Sequence, residues 1–450
     1  LEQGLQMISQ GKAVALGAKS SSYRQWQEAL QAYAKTKAIR QQDYWQKVAR
    51  ADFSLPVDKE VGASLVKDQR TVKVALDAAL TQALLTEVNK AYNTRIDDIL
   101  LAALTKTLGS WSSQQQVVIG LEGHGREDLS SQLDISRTIG WFTNLYPVLL
   151  WLKEAEEASE VIQTVKEQLR QVPDKGLGWG ALRYLHPDEG VRQSLSTEKP
   201  FQLTFNYLGQ LDNVISASQW FAKAQESAGS SVEKNNKLTA SIDITASIIE
   251  GQLVLNWRYG SKHYQEATIT TLAADFLERL ENLISHCQHK TVPQATPSDY
   301  GLTGKVDYRE LEAFLATVQN GKKLREQIST LYGLSPMQQG LLFHGLYDQS
   351  SPAYIEQMSC RLIGVEVEAF RKSWEHLMQQ HSILRSSFHQ ELSIPVQCVH
   401  HSVVLPFQLL DYRGKSAAEQ AEQLSAFIEA DAKKGFDFSQ APLLRLTLIR

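Results

Sequence analysis

The segment that most limits how this chain can fold is a predicted β-hairpin over residues 240–259, ASIDITASIIEGQLVLNWRY. Apolar and polar residues alternate on both sides of Glu250 and Gly251, the pattern of two half-buried strands joined by a tight turn. Other segments, such as residues 21–36, place apolar residues at helical spacing behind a serine suited to cap the helix. This mixture of strands and helices predicts an α/β or α+β fold, and periodicity alone leaves both classes open.

The same patterns predict the remaining elements along the chain. Predicted helices cover residues 81–93, 93–108, 155–170, 263–287, 336–347, 367–380 and 417–433. Predicted strands cover residues 72–76, 116–123, 201–209, 354–362, 384–388 and 395–409, and residues 138–152 form a buried strand with a turn.

A change of composition predicts how the chain divides. Residues 288–304 are polar and rich in turn residues, which fits a linker better than a core. The sequence therefore predicts one domain over residues 1–290, an interdomain linker over residues 291–330 and a further domain beginning at residue 331. Leu1 lies inside a predicted helix and Arg450 inside an apolar run, so both ends are expected to be cut points in a longer protein.

Charge and cysteine content exclude several classes of protein. The chain has 46 basic and 50 acidic residues, so neither a nucleic acid partner nor a charged membrane surface is expected. The longest apolar stretch, residues 139–152, contains Asn144 and Pro147 and falls short of the ~20 residues that cross a bilayer. Three cysteines among 450 residues exclude a disulfide framework. A cytoplasmic protein without a membrane segment is predicted.

The segment EGHGRED, residues 122–128, is the first candidate for chemistry. Glu122 follows an apolar strand, and the two glycines that flank His124 allow a ligand to approach the backbone closely. A carboxylate there would serve as a general acid or base if burial raised its pKa. The alternative is a polar turn with a solvated Glu122 and His124. The spacing of the glycines matches neither common phosphate-binding motif.

A second candidate is FNYLGQLD, residues 205–212. Asn206 and Tyr207 lie at the end of an alternating strand, where an amide and a phenol can orient a polar substrate. A tyrosine at such a place equally completes a core with its hydroxyl at the rim. The segments HCQH and CVHH lack the paired spacing of a structural zinc site, so no metal is predicted. The motif HHxxxDG is also excluded at residue 400, because Leu405 stands where its Asp is required.

Taken together, the motifs resemble those of nonribosomal peptide synthetases. EGHGRE, RTIGWFTNLYPV, PDKGLGWGALRYL and FNYLGQLD occur in the order found in the epimerization domain of that family. Residues 21–34 are similar to the segment that follows the histidine motif of such domains. Further along, LSPMQQGLLFH and QHSILRSSF resemble the first two motifs of a condensation domain. The resemblance identifies residues 1–290 with an epimerization domain lacking its histidine-motif part and residues 331–450 with the N-terminal lobe of a condensation domain.

The resemblance carries implications for fold, reaction and site. It implies lobes of the chloramphenicol-acetyltransferase type, with mixed sheets flanked by helices. The implied reaction inverts the α-carbon of an aminoacyl or peptidyl thioester carried on the 4′-phosphopantetheine of a carrier protein, with no cofactor bound directly. By resemblance, Glu122 and Tyr207 are catalytic residues and Asn206 and His124 bind substrate. Implied partners are peptidyl carrier domains upstream and downstream, together with other synthetase modules.

Two alternatives to an epimerase stay open. One is a non-catalytic platform of the same fold that docks carrier proteins, and the other is a stand-alone acyltransferase. The histidine motif that completes each active site in the family is absent from the chain. It is expected just before Leu1 and again just after Arg450. The fragment alone is therefore expected to be inactive.

Overall fold

A computed structural model gives the fold of the chain and divides it into two compact units, Leu1–Ala295 and Thr296–Arg450. The structure describes residues 1–153, 157–197, 199–210, 220, 224, 226, 229–319, 321–347 and 355–450. Each unit has its own hydrophobic core and its own sheets.

The first unit contains ten α-helices and six strands among its described residues. Its helices are α1 Glu2–Ser9, α2 Tyr23–Thr36, α3 Gln42–Ala49, α4 Ala78–Thr86, α5 Val88–Tyr92, α6 Ile96–Ser112, α7 Ala158–Arg170, α8 Leu177–Gly180, α9 Glu189–Ser194 and α10 Glu266–Gln288. Its strands are β1 Gln69–Ala75, β2 Gln116–Gly123, β3 Asn144–Trp151, β4 Leu203–Gln210, β5 Ile242–Ile249 and β6 Gln252–Gly260.

One six-stranded sheet organises this unit, in the order β1-β6-β5-β4-β2-β3. β4 runs parallel to both of its neighbours, β2 and β5, and the other pairs are antiparallel. The predicted hairpin is confirmed as β5 and β6. Glu250 and Gly251 both adopt positive φ, 50° and 77°, as a two-residue turn between twisted strands requires. The predicted mixed α/β fold is also confirmed.

The two faces of this sheet differ in character. Alternate residues of each central strand, such as Ile119, Phe205 and Ile244, are buried in a core shared with α4, α5, α6, α7 and α10. An ion pair between Asp98 and Arg170 links α6 to α7. Arg170 Nη2 lies 2.6 Å from Asp98 Oδ2, and Asp98 is 1% exposed. On the opposite face, the central strands carry polar side chains near the carboxyl end of β2.

A second cluster of buried residues forms around the aromatic side chains of α2, α3 and α8. The predicted serine cap of α2 is confirmed, because the Ser22 hydroxyl accepts a hydrogen bond from the Gln25 backbone N–H in a capping box. Phe142 packs against Trp26 in this cluster, and the Arg126 guanidinium lies 4.0 Å above the Phe142 ring. These contacts anchor the loop between β2 and β3 on the cluster.

The second unit is smaller and contains three short sheets in its described part. Its helices are α11 Tyr308–Leu315, α12 Leu324–Gln327, α13 Pro336–Tyr347, α14 Val367–Gln380 and α15 Ala417–Lys433. Its strands are β7 Val318–Gln319, β8 Lys322–Lys323, β9 Ile328–Gly333, β10 Ser386–His389, β11 Val396–His400, β12 Phe407–Leu410 and β13 Leu446–Ile449. The three-stranded sheet has the order β10-β11-β9.

Three segments of this unit differ from what the sequence predicts. The single strand predicted over residues 395–409 is two strands, β11 and β12, which belong to separate sheets. Residues 355–362 form no strand, and Met358 is 92% exposed, because an alternating pattern becomes a strand only beside a partner. Much of the segment 291–330 is folded, since Leu311, Phe314 and Ile328 are buried in the core of this unit. The turn residues of this segment end its short helices and strands, and the apolar residues between those turns still pack into the core of the unit. The domain division at 290 and 330 stays a prediction.

No helix in the described part of the chain combines the length and apolar character needed to span a bilayer.

Candidate active site

Strand pairing brings Glu122 and Asn206 together. β2 runs parallel to β4 with Leu121 opposite Phe205, so Glu122 and Asn206 are the next residues along the two strands. Side chains one residue further along a strand project from the opposite face, here the face away from the helical core. Asn206 Nδ2 donates a hydrogen bond to Glu122 Oε2 at 2.6 Å. Two of the predicted site residues, taken from separate motifs, thus form one pair.

The polar face continues from this pair across β5 and β6. Asp243 on β5 accepts a hydrogen bond from Thr204 Oγ1 on β4 at 2.8 Å and pairs with Arg258 Nη2 on β6 at 2.6 Å. Arg258 Nη2 also donates to Thr245 Oγ1 at 2.8 Å. We call Glu122, Asn206, Thr204, Asp243, Thr245 and Arg258 the polar strip.

The surroundings of Glu122 favour its protonated form. Desolvation and then the nearby Asp243 carboxylate raise the pKa of Glu122 above its ordinary value, and Arg258 partly opposes that effect. A carboxyl group with a raised pKa is better suited than an ordinary glutamate to accept and return a proton near neutral pH. The pKa of Glu122 is thus shifted in the direction that acid/base chemistry needs, although its side chain is exposed to solvent, and its catalytic role stays a prediction.

The turn that follows β2 requires its glycines. Gly125 has a φ of 68°, and a Cβ at this position would lie 1.6 Å from the Phe142 carbonyl oxygen. At Gly123 a Cβ would lie 2.4 Å from Asn144 Oδ1. The glycines let the turn pass directly over the start of β3, which fixes the direction of the strand end that carries Glu122.

His124 makes its contacts within the turn that follows β2. Its Nδ1 accepts a hydrogen bond from the Arg126 backbone N–H at 3.0 Å, and its Nε2 lies 3.4 Å from Glu127 Oε1. Lys175 Nζ lies 2.9 Å from the other carboxylate oxygen, Glu127 Oε2. The imidazole is thus held by its own turn, and its predicted role in substrate binding stays a prediction.

Tyr207 lies on the opposite face of the sheet from Glu122. It follows Asn206 directly in β4, faces Ala246 in β5 and packs against the helical core. Burial, and then the Asp97 carboxylate, raise the pKa of Tyr207. The structure therefore does not bring the two predicted catalytic residues together, and a catalytic role for Tyr207 stays a prediction. Asp212, the last residue of this motif, lies outside the described residues.

Sequence reasoning missed Asp243 and Arg258. The signal was present, because the two-residue turn at Glu250 and Gly251 fixes the hairpin register and places Asp243 opposite Arg258. The position of β5 beside β4 depends on long-range pairing, which no local pattern reveals. No group of three or more His, Cys, Asp or Glu side chains suited to a metal occurs within the described ranges.

Comparisons with known proteins bear on the whole chain. A family model described as Condensation domain matches residues 2–300 and 328–450. A linear gramicidin synthase from Brevibacillus parabrevis is 38% identical over 100% of this chain and 6% of its own length. Bacitracin synthase 3 of Bacillus licheniformis is 34% identical over 99% of this chain and 7% of its own length. The chain thus spans a small fraction of these relatives.

A solved structure matches the chain as well. The crystal structure of the epimerization domain from the third module of tyrocidine synthetase B superimposes with a TM-score of 0.58 at 33% identity. The match covers 64% of this chain and 64% of that one. Tyrocidine synthase 1 of Brevibacillus parabrevis is 37% identical over 68% of this chain and 29% of its own length.

Proposed function

The chain belongs to the condensation-domain family of nonribosomal peptide synthetases, and on that premise we propose that residues 1–290 act as an epimerization domain. The proposed reaction converts an L-configured aminoacyl or peptidyl thioester into its D-configured form at the α-carbon. The thioester is carried on the 4′-phosphopantetheine of a carrier protein, so no cofactor is bound directly. The observation that carries the proposal is the hydrogen-bonded pair of Glu122 and Asn206 on an open polar sheet face.

Glu122 is the proposed acid/base group of this reaction. A thioester makes the neighbouring α-proton more acidic than a carboxylate would, and a positioned acid/base group contributes about 10²- to 10⁴-fold. The Glu122 carboxylate takes the α-proton as the carbon–hydrogen bond breaks, leaving an enolate. A proton donated to the opposite face of the enolate forms the new carbon–hydrogen bond, and the configuration is inverted. In the family that second group is a histidine of HHxxxDG, a motif this chain does not contain.

Asn206 has a supporting part in the proposed reaction. Its amide donates to Glu122 Oε2 at 2.6 Å, which fixes the direction of the carboxylate. A hydrogen bond to a carboxylate favours the charged form, whereas desolvation and Asp243 disfavour it. These opposing influences keep the carboxyl group able to give and take a proton.

The second unit supports a further part of the proposal. Residues 331–450 contain two segments that resemble the first two condensation-domain motifs, and the family model matches from residue 328 onward. We assign them to the first lobe of a domain that joins the epimerized residue to the next building block. Carrier proteins upstream and downstream, and other modules of the same synthetase, are the partners that this arrangement requires.

The proposal is tested in the synthetase that contains this chain. Carrier-bound L-aminoacyl thioesters with apolar, aromatic and charged side chains are incubated with it, cleaved from the carrier and resolved by chiral chromatography. A mixture of L and D forms for at least one thioester is expected. Binding of every loaded carrier without any D product would overturn the proposal and favour a non-catalytic docking platform.

A further inference from the structure

An ion pair crosses the sheet face close to Glu122. Asp243 and Arg258 lie opposite each other in β5 and β6, with Oδ2 and Nη2 2.6 Å apart. The side chains of Asp243 and Arg258 are 32% and 42% exposed, so the pair is neither buried nor freely solvated. Exposed pairs of this kind contribute about 0–1 kcal/mol, so this pair adds little to the stability of the sheet.

Hydrogen bonds hold this ion pair in one orientation. Thr204 Oγ1 donates to the second carboxylate oxygen of Asp243 at 2.8 Å, and Arg258 Nη2 donates to Thr245 Oγ1 at 2.8 Å. Thr204 lies two residues before Asn206 on the same face of β4, and Asn206 donates to Glu122. The ion pair and Glu122 therefore lie on the same face of four adjacent strands, β6, β5, β4 and β2.

We propose that Asp243 and Arg258 are positioning residues for Glu122, which set the electrostatic environment of its carboxyl group from the neighbouring strands of the polar strip. Asp243 places a negative charge on β5, the strand beside β4, and this charge favours proton uptake by Glu122. Arg258 lies on β6, one strand further from Glu122, and its positive charge opposes proton uptake. The two opposite charges together form a dipole directed across the sheet. The inference rests on the proposed function for its catalytic meaning, although the electrostatic coupling itself does not depend on it.

The Asp243–Arg258 pair is the main electrostatic influence on Glu122, because its other neighbours are apolar, paired elsewhere or distant. On β3 its neighbour is the apolar Leu145, and on its own turn His124 is directed to Glu127. Lys73 lies on β1, an edge strand separated from β2 by three other strands, and pairs with Asn256 of β6 in the register. Desolvation acts first on the pKa of Glu122, and Asp243 and Arg258 are the charges that follow, with opposite signs.

The coupling is measured by titrating Glu122 itself. The chain is labelled with ¹³C at the glutamate side-chain carboxyl, and the Glu122 signal is assigned from the Glu122→Gln variant. Asp243→Asn is expected to lower the titration midpoint of Glu122 and Arg258→Gln to raise it, each by about 0.5 to 1 pH unit. The double variant is expected to return towards the wild-type midpoint. The matched control is Asp275→Asn, which removes the acidic partner of a 2.7 Å ion pair on α10 and should leave the midpoint unchanged.

Opposite shifts are the signature of electrostatic coupling, since general disruption of the fold would move both midpoints in the same direction. Unchanged midpoints, or shifts of the same sign, in variants that keep the wild-type circular dichroism spectrum would overturn the inference. In the intact synthetase, the pH profile of epimerization should move with the midpoint. Failure of the proposed function is distinguishable, because it would leave the opposite shifts in place while no D product forms.

Discussion

Asn206 Nδ2 donates to Glu122 Oε2 at 2.6 Å across two parallel strands, although the two residues are 84 positions apart in the sequence. The contact joins the carboxyl end of β2 to the middle of β4, on the sheet face that is not covered by the helical core. An amide that holds a carboxyl group with a raised pKa is the feature on which the proposed chemistry depends.

The first prediction concerns this hydrogen bond. Asn206→Ala should slow epimerization by about 10- to 100-fold, because a hydrogen bond to a charged group contributes roughly 1.5–3 kcal/mol. Its loss should also raise the pKa of Glu122 further, since the charged form loses a donor. Chiral product analysis and carboxyl titration measure the two effects. Asn256→Ala, which removes an amide from the same face on β6, is the control, and an equal loss of rate there would contradict a specific role for Asn206.

The second prediction concerns the glycines at the strand ends. Gly125→Ala should destabilise the chain by several kcal/mol, because its Cβ would overlap the Phe142 carbonyl oxygen and its φ is 68°. Gly209→Ala, at a φ of 73° but with no atom within 4 Å of the new Cβ, should cost only about 1 kcal/mol. Urea denaturation of both variants gives the comparison. Equal destabilisation would show that backbone strain, rather than close packing, governs Gly125.

The sequence predicts the elements of this site better than their arrangement. The strand 116–123 and the hairpin turn at Glu250 and Gly251 follow from local alternation and are found as predicted. Alternation also implies that Asn206 and Tyr207, which are adjacent in one strand, face opposite sides, so they cannot both adjoin Glu122. β2, β4 and β5 lie side by side because segments that are distant in the sequence pair with one another. For that reason the polar strip is visible only in the structure.

The third prediction concerns a buried polar cluster in the second unit. The Ser387 hydroxyl lies 3.0 Å from His389 Nε2 and 2.8 Å from His400 Nε2, and all three side chains are buried. Burial lowers the pKa of both imidazoles, and the cationic forms of His389 and His401 lower that of His400 further, although Glu391 and Asp437 partly oppose the effect at His389.

The sign of the resulting pH dependence is fixed. A histidine whose folded pKa is lowered takes up a proton more readily when unfolded, so stability is retained above about pH 6.5 and lost below it. Amide exchange in β10 and β11 should therefore be faster at pH 5.5 than at pH 7.5 after correction for intrinsic rates, by at most about tenfold per histidine. His400→Gln should reduce that difference. Protection that does not change with pH would contradict the prediction.

The fourth prediction concerns the three cysteines. Burial raises the pKa of Cys287 and Cys398 to about 12, whereas Cys360 is exposed. Since the thiolate is the reactive form, iodoacetamide at pH 8 should modify Cys360 alone in the folded chain and all three thiols in urea. Mass spectrometry counts the modified sites, and Cys360→Ser is the control that should leave the folded chain unmodified. Modification of Cys398 at a rate similar to that of Cys360 would show that β11 is open to solvent.

The central claim is that Glu122 exchanges a proton with the α-carbon of a carrier-bound thioester. The most direct measurement is the incorporation of solvent deuterium at that carbon, compared between the wild-type synthetase and its Glu122→Gln variant, which keeps the size of the side chain and removes its acid/base function. We predict at least about a 100-fold loss of deuterium incorporation, with carrier binding unchanged. Incorporation at the wild-type rate in the folded variant would contradict the account.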